Sequence, residues 1–347
     1  MSGISADPKT ITGHQVPLTW GIRNGPGILW AVAIATVATV SSRWVPLIGA
    51  PVLAIMLGAA VRATLHPGDR ATPGLGFASK YVLQAAIVLL GAGIGLTQVA
   101  HTGTASLPVM LGTLVAALLG AFVIGRLLGV EAELRTLIGV GTGICGASAI
   151  AAVSPVIDAK RSQVAYAITA IFAFNVVGVI SFPLLGHLFG LGQESFGLWS
   201  GTAINDTSSV VAAAAAYGHI ATDHAVIVKL TRTTLIVPIV IILVALRARR
   251  HRVSGIHVRI RQLVPWFIVL FLVAAAVNTT GVVTQMAHHA ISHTSVFLIT
   301  VALAAIGLSV DAVALRRTGL RPLLLGALVW FIVAGTSLGL QAATGQL

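Results

Sequence analysis

Apolar residues run along this chain in blocks too long for the core elements of a water-soluble domain, separated by short polar stretches. Blocks at about residues 27–43, 45–63, 80–97, 105–128, 162–189, 222–246, 263–279, 293–310 and 322–341 approach or exceed the length a helix needs to cross a hydrocarbon core of roughly 30 Å. The pattern predicts an all-α polytopic membrane protein with about nine full spans, because only helices and closed barrels satisfy their backbone in lipid. The first two spans join tightly at Val45-Pro46. The polar, glycine-rich stretch from Pro67 to Lys80 reads as a short interfacial connection.

Two further segments, 131–158 and 192–217, depart from this pattern. Within them Gly141 to Ala152 reads GTGICGASAIAA, and 60 residues later Gly201 to Ala213 reads GTAINDTSSVVAA. Gly141 aligns with Gly201, Thr142 with Thr202, Ile144 with Ile204, Ser148 with Ser208 and Ala152 with Ala212. Both crowd glycine and small hydroxyl residues where a membrane helix ordinarily carries leucine and valine, so a helix is expected to break in each. A break inside a bilayer is tolerated only where the freed backbone lines a cavity or meets protein. Matched breaks in two halves of a chain point to the substrate site of a secondary transporter. Helix-packing faces of the small-xxx-small kind account for the glycines, but not for the Asn205-Asp206 pair at the centre of the second stretch.

Lys and Arg positions orient the spans. Residues 247–261 hold Arg247, Arg249, Arg250, Arg252, Arg259 and Arg261 with no acidic residue, the strongest cytoplasmic signal in the chain. Counting outwards places the amino terminus, Arg62, Arg70, Lys80 and the loop with Arg316, Arg317 and Arg321 on the cytoplasmic side. The uncharged loop around His101 and residues 280–292 fall outside. If segments 131–158 and 192–217 cross fully, Lys160 and Arg161 land outside, against the charge rule. If each enters and returns, those two are cytoplasmic and the hairpins point in from opposite faces. The hairpin reading is preferred, for roughly ten or eleven membrane segments in all.

A second echo supports an inverted arrangement. Ile94-Gly95-Leu96-Thr97 matches Ile306-Gly307-Leu308-Ser309, and the following helices share Pro108 with Pro322 and Gly112 with Gly326. The expected organisation is a cytoplasmic tail, 1–25, and one transmembrane transporter domain, 26–347. Its inverted repeats cover about 45–189 and 192–343.

Composition agrees: 56% of residues are hydrophobic, 9% are charged, and mean hydropathy is +0.97. The formal charge of +12 belongs to loops between apolar spans, where membrane orientation explains it and nucleic acid is not needed. Cys145 is the single cysteine, which excludes an internal disulfide and a thiolate metal cluster. Residues 1–25 contain no apolar core followed by a small-residue cleavage site, so the first span is read as uncleaved.

Asp206 is the acidic residue deep inside an interrupted helix, where a charge costs roughly 2.5–3.5 kcal/mol and calls for a partner or a function. Lys229 and Arg232 lie three apart on the next helix, so a static Asp206–Arg232 ion pair and direct substrate contact are both open. For a small anion, backbone N–H groups at half-helix starts, Gly143, Gly146 and the hydroxyls of Thr142, Ser148, Thr207, Ser208 and Ser209 offer donors around Cys145. Lys229 or Arg232 would add the counter-charge. For a cation, Asn205-Asp206 resembles the ion-binding dipeptide of cation/proton antiporters, and Lys229 and Arg232 oppose that unless they are paired off. An intramembrane hydrolase is the weakest class, since an aspartyl protease needs two deep carboxylates. His288, His289 and His293 read as an interfacial cluster in place of a metal site.

Cys145-Gly146-Ala147-Ser148-Ala149-Ile150-Ala151-Ala152, Phe196-Gly197 followed by the second stretch, Lys229-x-x-Arg232, Pro265-Trp266-Phe267, and Gly307-Leu308 before Pro322-Leu323-Leu324 occur in this order along the chain. The chain resembles the YeiH-type sulfate exporter family of bacterial inner-membrane proteins, within the cation/proton antiporter and anion transporter superfamily. It departs from a common form of that family's motif, in which histidine and glutamine stand where Asn205 and Ser209 stand here. The resemblance implies a secondary carrier for sulfate, a sulfonate or a similar small anion in the bacterial cell membrane. No GxxxxGK[ST] run is present, so a proton or ion gradient is the expected energy source. No enzymatic activity, cofactor or resident metal is expected. The bilayer, the anion and the coupling ion are the expected partners, with homo-oligomerisation left open.

Overall fold

The computed structural model describes residues 16–42, 44, 49–65, 68, 70–251, 265–309 and 320–347. The Val45-Pro46 junction, most of the expected tail, much of the 247–261 basic stretch and the loop carrying Arg316 and Arg317 lie outside these residues. Helices α1 (Val16–Ser41), α2 (Ala50–Leu65), α3 (Thr72–Phe77) and α4 (Leu83–Gly91) come first. They are followed by α5 (Leu96–Ala105) and α6 (Leu107–Leu127). The central part is α7 (Ala132–Gly143), α8 (Ala147–Ile157), α9 (Arg161–Leu188), α10 (Gln193–Ala203) and α11 (Thr207–Tyr217). The chain closes with α12 (His219–Thr234), α13 (Ile236–His251), α14 (Trp266–Thr279), α15 (Gln285–Leu308) and α16 (Leu320–Thr344).

Seven helical stretches among the described residues are long and apolar enough to cross a membrane, and α2 and α14 are shorter apolar helices that run with them. The all-α polytopic architecture is the one expected. Three boundaries differ. Among the described residues helix α1 already runs at Val16, inside the stretch expected as tail. The 67–80 connection is largely helical: α3 opens on Pro73 and runs into α4 through a π-helical turn at Ala78–Val82, forming one span over Thr72–Gly91. The stretch around His101 is helix α5, whose Leu96 N–H donates to Thr279 Oγ1 at 2.7 Å.

The segments at 131–158 and 192–217 are both re-entrant hairpins. Each half is 11 or 12 residues long, about 17 Å, or half of a hydrocarbon core. At the first hairpin, Glu131 before α7 accepts a hydrogen bond from Gln163 in the first turn of α9. Ala132 and Glu133 also share a surface cleft with Ile157 and Asp158 at the end of α8. Both feet therefore stand on one face, together with Arg247, which pairs with Asp158 at 3.6 Å. At the second hairpin, Tyr217 Oη donates to Leu191 O at 2.5 Å, and the Phe196 and Tyr217 rings stack at 3.8 Å. Between the hairpins α9, 28 residues and about 42 Å long, is long and apolar enough to cross the whole membrane. The two hairpins consequently dip in from opposite faces.

Two groups of helices share the core. One buried cluster joins α6, both hairpins, α9, α12, α13 and α16. Two more join α1–α4, α14 and α15, and meet the first group through residues such as Val211 and Val226. Helices α2 and α15 touch backbone to backbone: a Cβ at Gly307 would lie 2.3 Å from Ile55 O, and one at Gly58 would lie 2.6 Å from Ala304 O. The glycine singled out in the Ile306–Ser309 echo thus serves this close crossing.

Candidate functional site

The hairpin tips meet at mid-depth. The chain leaves α7 at Gly143 and turns through Ile144 to Gly146, whose φ of 69° and ψ of −130° suit glycine. A Cβ at Gly146 would find only ordinary contacts, 3.5 Å from Asp206 Cβ and 3.6 Å from Asn205 C. Gly146→Ala therefore isolates backbone strain from crowding. The expected cost is about 1–3 kcal/mol, seen as a fall of several degrees in Tm; an unchanged Tm would mean the tip relaxes freely. The second tip runs from Ala203 through Ile204 to Asp206. Its Asn205 N–H donates at 3.1 Å to Oδ1 of Asn175, a buried residue midway along α9.

Each tip has a carbonyl side and an N–H side, and the fold sorts them. On the carbonyl side, the ends of α7 and α10 converge on α12. Lys229 Nζ donates to Ile144 O at 3.1 Å and to Ile204 O at 2.9 Å, one acceptor from each hairpin. Arg232 repeats this one turn on: Nη1 donates to Thr202 O, and Nη2 to Thr142 O at 3.4 Å. Both side chains are fully buried. An unpartnered cation at this depth would be costly; here the negative ends of two half-helices compensate it. This revises the expected role of both residues. Neither pairs with Asp206, and neither lines the cavity in front of the tips.

On the N–H side, α8 and α11 begin around a cavity of about 280 Å³. Cys145, Ser148, Asp206, Thr207 and Ser208 line it from the tips. Ser148 is exposed to it, and Thr207 and Ser208 are half-buried. Asp206 caps α11: its Oδ2 accepts from Ser209 N–H at 3.1 Å and from the Ser208 hydroxyl. The buried Oδ1 has no hydrogen-bond partner among the described residues. Thr142, Gly143, Gly146, Asn205 and Ser209 build the tips behind this wall, and Lys229 and Arg232 brace them.

Part of the site has no counterpart among the residues expected from the sequence. The opposite wall comes from α3–α4 and α14, through Ser79, Lys80, Gln84 and Phe267. A usable signal existed in Gln84, a polar residue inside the apolar run YVLQAAIVLLG headed by Lys80. His288 and His289 sit elsewhere, in a cleft on the other face with His219, Asp223 and Ser292. No group of three or more His, Cys, Asp or Glu among the described residues is placed to hold a metal ion.

A family model described as conserved hypothetical protein 698 matches residues 26–326. A UPF0324 membrane protein of Streptococcus pyogenes serotype M3 is 42% identical over 333 residues, covering 93% of this chain and 98% of the relative. One from Clostridium tetani is 41% identical over 336 residues, 92% and 97% of the two chains. One from Fusobacterium nucleatum is 37% identical over 340 residues, 92% and 98%.

Proposed function

The chain belongs to the family described as conserved hypothetical protein 698, a family of membrane proteins, and from that premise we propose that it is a secondary active transporter of a small oxyanion such as sulfate or a sulfonate. One observation carries the reading: two half-helix N-termini, from hairpins of opposite direction, bound the same cavity at mid-depth. Such ends attract anions through uncapped N–H groups and the positive end of the helix dipole; α8 carries no side-chain cap, while at α11 Asp206 holds the Ser209 N–H. Hydroxyls of Ser148 and Thr207 add neutral donors, while Asp206, which already accepts the Ser208 hydroxyl, takes the coupling proton.

The face with Lys160, Arg161 and Arg247 is the cytoplasmic one by the charge rule, which puts the amino terminus on the cytoplasmic side of a bacterial cell membrane. A second cavity, of about 460 Å³, shares Lys80, Gln84, Cys145, Ser148 and Pro265 with the first and continues along α8 and α13 to Ala152, Ile236 and Trp266. The site therefore communicates with the cytoplasmic side, where an exporter loads. Alternating access is a movement of the hairpin bundle against the α1–α4, α14 and α15 group, with halves 45–189 and 192–343 as the inverted repeats.

A cation/proton antiporter is the second reading. It is favoured by the unpartnered Asp206 Oδ1 and by the compensation of Lys229 and Arg232 on carbonyls. Thermal unfolding of detergent-purified protein with sulfate, methanesulfonate or bicarbonate, and separately with Na+, Li+ or altered pH, separates the two. An anion at a hundred times its Kd stabilises by about 2.7 kcal/mol, a Tm rise of several degrees. A rise with Na+ or Li+ and none with any oxyanion would replace the anion reading with the antiporter.

A further inference from the structure

We propose that Lys80, on the wall facing the hairpins, supplies the counter-charge for the transported anion, with Gln84 beside it as a neutral donor. This rests on the anion reading and assigns the full positive charge of the site to the second helix group. Lys229 and Arg232 are spent on carbonyl oxygens behind the tips. Lys80, by contrast, lines both connected cavities together with Ser148 and Cys145.

The local backbone is shaped for this. Ser79, Leu83 and Ile87 and, one residue on, Lys80 and Gln84 all line the first cavity. Residues four apart on an α-helix drift sideways by about 40° per step. The π-helical turn at Ala78–Val82 holds more residues per turn, so four residues drift the opposite way there and offset part of the α-helical drift along Ser79, Leu83 and Ile87. Such turns are rare and recur at functional sites. Gln84 lines both cavities, and the NH2 of its amide is the donor an anion would meet; its buried Oε1 accepts no hydrogen bond among the described residues. The ammonium of Lys80 stands 5.3 Å from the centre of the Tyr81 ring and is otherwise exposed. It reaches the cavity at no cost in broken ion pairs.

The site then has one half on each moving group: half-helix N–H donors on the hairpin bundle, and a cation on its neighbour. An anion bound between them ties the two groups together, and its release frees them to slide. Loading and movement are thereby linked through Lys80.

Sulfate titrations of the purified full chain, followed by thermal shift and calorimetry, test this on Lys80→Gln and Lys80→Arg. Lys80→Gln is expected to weaken sulfate about tenfold or more, the scale of one charge-assisted hydrogen bond. Lys80→Arg should stay within about threefold of wild type, because the charge is kept. The Tm of both variants without sulfate should match wild type, since Lys80 is exposed. A Lys80→Gln protein that binds sulfate like wild type overturns the inference and shows an interfacial anchor, leaving the anion reading intact. If Lys80→Gln loses Tm without sulfate, Lys80→Arg decides: tenfold weaker binding in a fully stable Lys80→Arg protein overturns a charge role. A wild-type protein that binds no oxyanion overturns the anion reading itself.

Discussion

Lys229→Met and Arg232→Met are each expected to cost the folded protein more than any other single substitution around the hairpin tips. The Lys229 substitution leaves Ile144 O and Ile204 O without their donor, and the Arg232 substitution does the same to Thr142 O and Thr202 O. All four acceptors end half-helices in the middle of the bundle and accept no other side-chain hydrogen bond among the described residues. An orphaned buried acceptor costs about 1–3 kcal/mol, so each variant loses roughly 2–6 kcal/mol. At about 2–4 °C per kcal/mol for a domain of this order of size, Tm in detergent should fall by about 4 °C at least. The two losses should fall short of additive, because one pair of tips relaxes once. A drop below about 2 °C for both variants would show that the carbonyls find other donors and that neither side chain braces the tips. Arg232→Lys is the informative control: it keeps the charge against the two helix ends but loses the fork that reaches Thr202 and Thr142 together. An intermediate Tm is expected.

The hairpins were legible because they leave traces in side chains. Small residues, hydroxyls and a buried acid recur at 60-residue spacing, and Lys160 and Arg161 carry the charge-rule evidence that the first segment returns to its own face. What sits on either side of a tip was not legible. Lys229 and Arg232 share one helix face with Thr233 beside them, and spacing alone does not say whether that face meets helix starts or helix ends. The deciding partners are main-chain carbonyls, which have no letter in a sequence. Asp206 and Arg232 are an obvious pair by charge, yet the fold sends the acid to the starting end of α11 and the base to the finishing ends of α7 and α10. The α3–α4 wall was hidden for another reason. Pro67, Gly68, Pro73, Gly74 and Gly76 look like a loop, but Pro73 is compatible with a first turn and Gly74 is required where α3 meets α1. A Cβ at Gly74 would lie 2.0 Å from Asn24 O. Packing density, not local propensity, decides that stretch.

Asp206→Asn should separate two duties that the native carboxylate combines. As a cap, asparagine matches aspartate, and its carbonyl oxygen can still accept from Ser209 N–H. The Tm should stay close to wild type, while Asp206→Ala loses the cap and about 1 kcal/mol. As a charge, the carboxylate stands in the same cavity as the hydroxyls of Ser148, Thr207 and Ser208. Two like charges about 4 Å apart repel by about 4 kcal/mol at an effective dielectric constant near 20. Sulfate should therefore bind Asp206→Asn at least tenfold more tightly, the part of that repulsion that survives screening by water in the open cavity. Transport should move the other way. On the proposed transport reading, uptake of radiolabelled sulfate into proteoliposomes carrying Asp206→Asn should no longer respond to an imposed pH gradient. Tighter binding together with lost pH drive is a combination that a purely structural Asp206 does not produce. Wild-type transport in Asp206→Asn would reduce the residue to a helix cap and move the coupling proton elsewhere in the chain.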